Sequence, residues 1–188
     1  MLHIENRSLS FIIKKYYICF MFYAIMGWCY EVFLEVVVYH WGFSNRGFLF
    51  GPYCPVYGFG AIILIACLHT LIKKKIKIGH ISITPIFIFI AICIITTTVE
   101  LIASYIMEVF TGGWMWDYTQ YSYNFQGRIA LNPSLRFGVG GMVFLYLFQP
   151  LFDKFLKNIN NRSLSLLFWP LLAIFLLDFT VKIINIWQ

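Results

Sequence analysis

Charge is what this chain has least of. Only 12% of its 188 residues are Asp, Glu, Lys or Arg, about half the share of a soluble domain, so a water-soluble globule is excluded. It also lacks the motifs of soluble enzymes: no phosphate-binding glycine loop followed by Lys-Ser/Thr, no HExxH and no serine elbow. The five cysteines show no metal spacing; Cys19, Cys29, Cys67 and Cys93 lie within apolar runs and only Cys54 in a loop. His3, His40, His69 and His80 are scattered, and no metal or other cofactor is expected. No cleavable leader is expected either: the first apolar run is long, holds two glutamates and lacks a small-residue cleavage site. What is present is hydrophobic, 61% of residues with 20% aromatic and a mean hydropathy of +0.78.

Those residues fall into runs that suit an all-α integral membrane protein, a single transmembrane domain over 1–188. A hydrocarbon core about 30 Å thick needs roughly 20 helical residues. Five runs qualify, at about 16–40, 53–72, 84–110, 136–152 and 164–186. The net charge of +6 would suggest nucleic acid in a soluble protein; here it follows membrane topology, and no nucleic-acid partner is expected. Arg7, Lys14 and Lys15, the four lysines of 73–83, and Lys154, Lys157 and Arg162 lie on one side. Arg46, Arg128, Arg136 and Lys182 are left for the other. The N-terminus is therefore expected in the cytoplasm and the C-terminus outside, in a multi-pass cell-membrane protein.

The few acids inside the spans stand out, because an ionisable group at membrane depth needs a partner, water or a function. Glu31 and Glu35 sit four residues apart, on one helix face. In the third run Thr97, Glu100, Ser104 and Glu108 follow at three- and four-residue steps and draw a polar stripe. Both sets belong to the outer half of their spans in this topology. Asp178 and Lys182, also four apart, are expected to neutralise each other locally.

A faint internal repeat runs through the same region. Gly47, Gly58 and Gly60 recur as Gly127, Gly138 and Gly140, with Leu49, Cys54 and Tyr57 matched by Ile129, Ser134 and Phe137. Each copy holds an acid-bearing helix, an outer loop and a glycine-rich helix start. This predicts two pseudo-repeated hairpins in the same orientation, related by an axis along the membrane normal, plus one C-terminal helix. Between them lies TGGWMWDYTQYSYNFQGRIALNPSL, residues 111–135, longer than an idle connection. Its aromatic rings suit the headgroup level, so an interfacial or re-entrant loop capping the acidic stripes is expected.

The acids, Asp117 and the arginines mark a candidate polar site. Its expected members are Glu31, Glu35, Asn45, Arg46, Tyr57, Glu100, Tyr105, Glu108, Trp116, Asp117, Tyr118, Asn124 and Arg128. Three functions fit: a transport component binding a small solute or ion, a membrane enzyme acting on a lipid or lipid-linked substrate at the outer leaflet, and a scaffold in which the polar network only holds helices together. The sequence does not decide whether the protein is an enzyme, and it leaves open a solute, an ion or a lipid as ligand beside the bilayer itself.

GWCYE, NRGFLFGPYCPVYGFGA, the Glu100 to Glu108 stretch and WDYTQYSYNFQGRIALNPSLRFGVGG, in that order, resemble the bacterial family called putative ABC-transporter type IV, or putative ABC transporter permease. The likeness covers about residues 16–152. In that pattern the matching positions are Glu31, Asn45, Arg46, Gly47, Gly51, Pro52, Tyr57, Gly58, Glu100, Glu108, Trp116, Asp117, Tyr118, Asn124 and Gly127. The resemblance implies a permease-like transport component. Its name further implies a separate ATPase subunit, although the inner loops carry little that resembles a docking helix.

Overall fold

Apolar runs in a chain of this kind become helices because a helix satisfies every backbone N–H and C=O within its own segment. The computed structural model describes residues 8–74, 76–78, 80–157 and 159–187. His3, Arg7 and Lys75 of the sequence reading lie outside the described residues. Helix α1 spans Leu9–Phe33 and continues through a π-helical turn, Leu34–Val38; α2 spans Pro55–Lys73 and α3 Thr84–Thr111. Helix α4 spans Leu131–Val143 and passes through a second π-helical turn, Phe144–Phe148, into α5, Gln149–Lys157; α6 spans Asn161–Trp187. Five of these stretches are long and apolar enough to cross a membrane: Leu9–Val38, Pro55–Lys73, Thr84–Thr111, Leu131–Lys157 and Asn161–Ile186. Two-residue strands form two small antiparallel pairs, Lys77–Ile78 (β1) with Ile81–Ser82 (β2), and Asn124–Phe125 (β3) with Ile129–Ala130 (β4).

The ends differ from the apolar runs for local reasons. Helix α1 begins at Leu9 rather than 16 because the Ser8 hydroxyl caps it, accepting from Phe11 N–H at 3.4 Å. Helix α4 begins at Leu131 rather than 136. Ala130 is still extended, and Pro133 falls in the first turn, where its missing N–H costs nothing. Helix α5 carries the chain past 152, where the fourth run was expected to end, as far as Lys157.

The chain divides into two compact units. Among the described residues one is continuous, Ile63–Lys157; the other is split, 8–62 with 159–187. In the split unit α1 and α6 run parallel: Lys14 meets Ser165, Tyr17 meets Phe168 and Leu171, and Phe20 meets Phe175. Its core joins Phe20, Met21 and Ala24 of α1 to Leu49 and Tyr53 of the following loop. In the continuous unit Leu64, Leu68, Ile88, Ile92 and Leu145 form the core.

Both units use one construction. In the split unit the chain leaves the π-helical turn, then folds back until Cys54 N–H reaches Ala24 C=O at 2.9 Å. That point is about 20 Å along the axis from Val38, at 1.5 Å per residue. In the continuous unit Ser134 meets the Thr97 hydroxyl at 2.6 Å, again about 20 Å short of the helix end at Thr111. Each return helix then crosses the outgoing one on a glycine. A Cβ at Gly58 would lie 2.6 Å from the Phe20 ring, and one at Gly138 2.4 Å from Cys93 Sγ. The loop glycines also correspond, Gly47 at φ +94° and Gly127 at φ +66°.

Candidate functional site

In the split unit the acids of α1 are each engaged by the loop or helix that follows. Glu35, 6% exposed, lies in the π-helical turn, the wider coil that often marks a functional position. It accepts from the Ser44 hydroxyl at 2.6 Å and from Ser44 N–H at 3.3 Å. The Arg46 guanidinium stands 3.6 Å away. Glu31 accepts from the Tyr57 hydroxyl, and the Tyr57 ring packs on Gly27, where a Cβ would come within 2.3 Å of it. Asn45 accepts from Trp28 Nε1 at 2.8 Å and donates to Phe50 C=O at 2.8 Å, tying α1 to the loop.

The rest of that loop is held from α6. Asp178 accepts from Phe50 N–H at 3.0 Å, from Gly51 N–H at 2.7 Å and from the Tyr53 hydroxyl. The local pair expected from the spacing of Asp178 and Lys182 is only part of this: the Lys182 charge acts on Asp178, while its ammonium lies over the Phe48 and Phe50 rings, 5.4 and 4.9 Å from their centroids. Burial, and then the bond to Asp178, raise the Tyr53 hydroxyl pKa above its ordinary value. Burial pushes the Cys54 thiol up to about 12, with the Glu31 charge adding to the shift and Arg46 opposing it.

In the continuous unit the polar stripe of α3 is covered by residues 112–130. Hairpin β3–β4 turns at Gln126 and Gly127, both at positive φ, with Arg128 N–H bonded to Phe125 C=O at 3.0 Å. Such a turn suits the twist of a hairpin, and here it sets Arg128 against α3. The guanidinium is buried between two rings, 3.9 Å from the Trp114 centroid and 4.1 Å from that of Tyr105. Nη2 donates to Glu108 at 2.5 Å and Nη1 to the Ser104 hydroxyl at 3.3 Å; the buried Nε has no hydrogen-bond partner. A planar cation stacked on aromatic faces recovers in cation–π attraction part of what it loses in hydration. Trp116 Nε1 donates to Arg128 C=O at 2.7 Å, and the Tyr118 hydroxyl donates to buried Glu100 at 2.7 Å.

The structure thus gathers Glu100, Tyr105, Glu108, Trp116, Tyr118 and Arg128 in one unit, and Glu31, Glu35, Asn45, Arg46 and Tyr57 in the other. Two further expected members sit in the covering loop. Asp117 accepts from Thr119 N–H and from the Thr119 hydroxyl, both at 2.9 Å, and closes a turn. Asn124 donates to Tyr121 C=O at 2.7 Å and accepts from Gly127 N–H at 3.0 Å, bracing the hairpin. Ser44, Ser104 and Trp114 were not anticipated as partners. Ser104 and its place on the α3 stripe were visible in the sequence; Ser44 and Trp114 carried no periodic signal. Among the described residues no three His, Cys, Asp or Glu side chains converge as a metal site requires.

Long apolar helices with buried acids, each acid held by a residue from elsewhere in its own unit, define a multi-pass membrane protein. Residues 18–183 match the model of the family described as "Putative ABC-transporter type IV", and the chain belongs to that family. No curated protein and no solved structure matches it.

Proposed function

We propose that this protein is a permease-like transport component in which each unit carries an outward-facing acid and arginine site. The N-terminus lies in the cytoplasm, as the distribution of lysine and arginine supports, and Glu31, Glu35, Glu100 and Glu108 lie in the outer half of their spans. The carboxylates take a cation or proton, and Arg128 or Arg46 meets an anionic group once its own glutamate is released. Family membership supports transport in general. The observation that carries the site is Arg128, 6% exposed and paired with a Glu108 side chain that is 43% exposed. A fixed cation buried beside a reachable carboxylate can exchange that carboxylate for an incoming ion without moving itself. Residues 74–83 and 158–160 offer little for an ATPase to grip, so coupling to a cation or proton gradient fits better than coupling to nucleotide.

Proton movement tests this in liposomes containing the purified full-length chain and a pH-sensitive dye. Wild-type protein should dissipate an imposed pH gradient faster than empty liposomes. Glu108→Gln and Glu31→Gln should abolish the difference, with Glu31→Gln, which leaves no buried cation unpaired, melting within about two degrees of wild type. Variants that transport normally, or wild-type liposomes no faster than empty ones, would reject the reading. A scaffold role is favoured by how fully Glu35 and Asp178 are occupied by loop donors. It requires melting temperature and any cellular phenotype to fall together in both variants.

A further inference from the structure

A second site lies in the split unit, remote along the chain from the acids. The cavity between α1 and α6 has a volume of about 360 Å³ and is lined by Leu9, Ser10, Ile13, Lys14, Phe168 and Trp169. Its walls are apolar and open: Leu9, Ile13 and Trp169 are 72, 54 and 60% exposed. Its polar end is cationic. Lys14 Nζ donates to the Ser165 hydroxyl at 2.9 Å, leaving two further N–H groups for another acceptor. Arg162 stands in the first turn of α6.

Because α1 and α6 are parallel, both helix N-termini lie at this end, and each carries partial positive charge. Among the described residues of this unit the carboxylates nearest along the two helices are Glu31 and Asp178. At 1.5 Å per residue they stand about 25 Å beyond Lys14 and about 20 Å beyond Ser165. Glu5 and Arg7, outside the described residues, cancel in formal charge. Along α1 and α6 no described carboxylate lies nearer to the cavity mouth.

We propose that this cavity is a binding site for an anionic phospholipid. The phosphate meets Lys14, Ser10 and Arg162, and an acyl chain lies along Ile13, Phe168 and Trp169. An ammonium at the end of an apolar slot selects a molecule that is both anionic and amphipathic. A neutral lipid would leave the cation without a counter-charge, and a free anion would leave the slot unfilled. Basic pockets between membrane helices hold acidic headgroups by this combination, and a tryptophan at the rim suits the interface.

The test uses the full-length protein in a non-ionic detergent, with lipids retained on the protein counted by native mass spectrometry. Phosphatidylglycerol should be retained at least fivefold over phosphatidylcholine and should raise the melting temperature by several degrees, while inorganic phosphate should have no effect. Lys14→Gln should remove the preference and Lys14→Arg should keep it, which separates loss of binding from loss of folding. Equal retention of the two lipids, an undiminished preference in Lys14→Gln, or equal stabilisation by phosphate alone would each overturn the assignment.

Discussion

The two hairpins hold the same kind of ion pair inside out. In the first, the carboxylate of Glu35 is buried at 8% exposure and Arg46 is the open partner at 36%. In the second, Arg128 is buried at 6% and Glu108 is open at 43%. The contacts around the pairs otherwise correspond: Phe20 with Gly58 against Cys93 with Gly138, and Ala24 with Cys54 against Thr97 with Ser134. On the outgoing helices these partners differ by a constant 73 positions, the same step that relates Glu35 to Glu108. One framework therefore carries two electrostatic characters. The first presents a cation over a sequestered acid, and the second an acid over a sequestered cation.

The largest effect should come from deleting the buried partner. Arg128→Ala deletes a buried side chain and leaves a gap between two rings, a large-to-small core change that costs about 2–5 kcal/mol. Arg46→Ala removes a half-open cation 3.6 Å from Glu35, which keeps both Ser44 donors, and should cost less than about 1 kcal/mol. Chemical or thermal unfolding in detergent reads both, and equal losses would erase the asymmetry.

The glycine crossings sharpen the likeness instead. Gly58→Ala and Gly138→Ala should each destabilise by about 1–3 kcal/mol through overpacking. Gly60→Ala and Gly140→Ala, where an added Cβ meets nothing within 4 Å, should be neutral or stabilising by up to about 1 kcal/mol. A paired result in both hairpins supports a shared construction; a cost at only one crossing breaks it.

The smallest effect concerns a thiol found only in the first copy, since the second has Ser134 in place of Cys54. With its pKa pushed up to about 12, Cys54 stays protonated at pH 8 and should react with a water-soluble maleimide far more slowly than in unfolded protein. Labelling should accelerate only as the pH approaches 12. Rapid modification at pH 8 in the folded protein would show the loop to be open at that point.

The five spans were legible because each is a long, predominantly apolar run, whose backbone a helix satisfies within the segment. The repeat was only half legible. Glu35 is 12 residues before Gly47 but Glu108 is 19 before Gly127, and those seven extra residues hide the match of the acids from an ungapped comparison. The loop contacts of Asp178 were not foreseen for a different reason. A four-residue spacing to Lys182 is a local signal, whereas the donors that bind Asp178 lie some 125 residues away in sequence and leave no trace in periodicity. The turn contacts of Asp117 and Asn124 were not legible because turn-forming and ligand-facing carboxylates and amides look alike until the loop has a shape.

The reach of Asp178 bears on how the molecule is made. The amides of Phe50 and Gly51 are synthesised before Ile63–Lys157, whereas their acceptor follows that whole stretch. Until Asp178 has emerged, those amides and the Tyr53 hydroxyl lack the carboxylate that holds them. A nascent chain arrested before α6 would therefore have its first loop tied to Glu35 but not yet to Asp178.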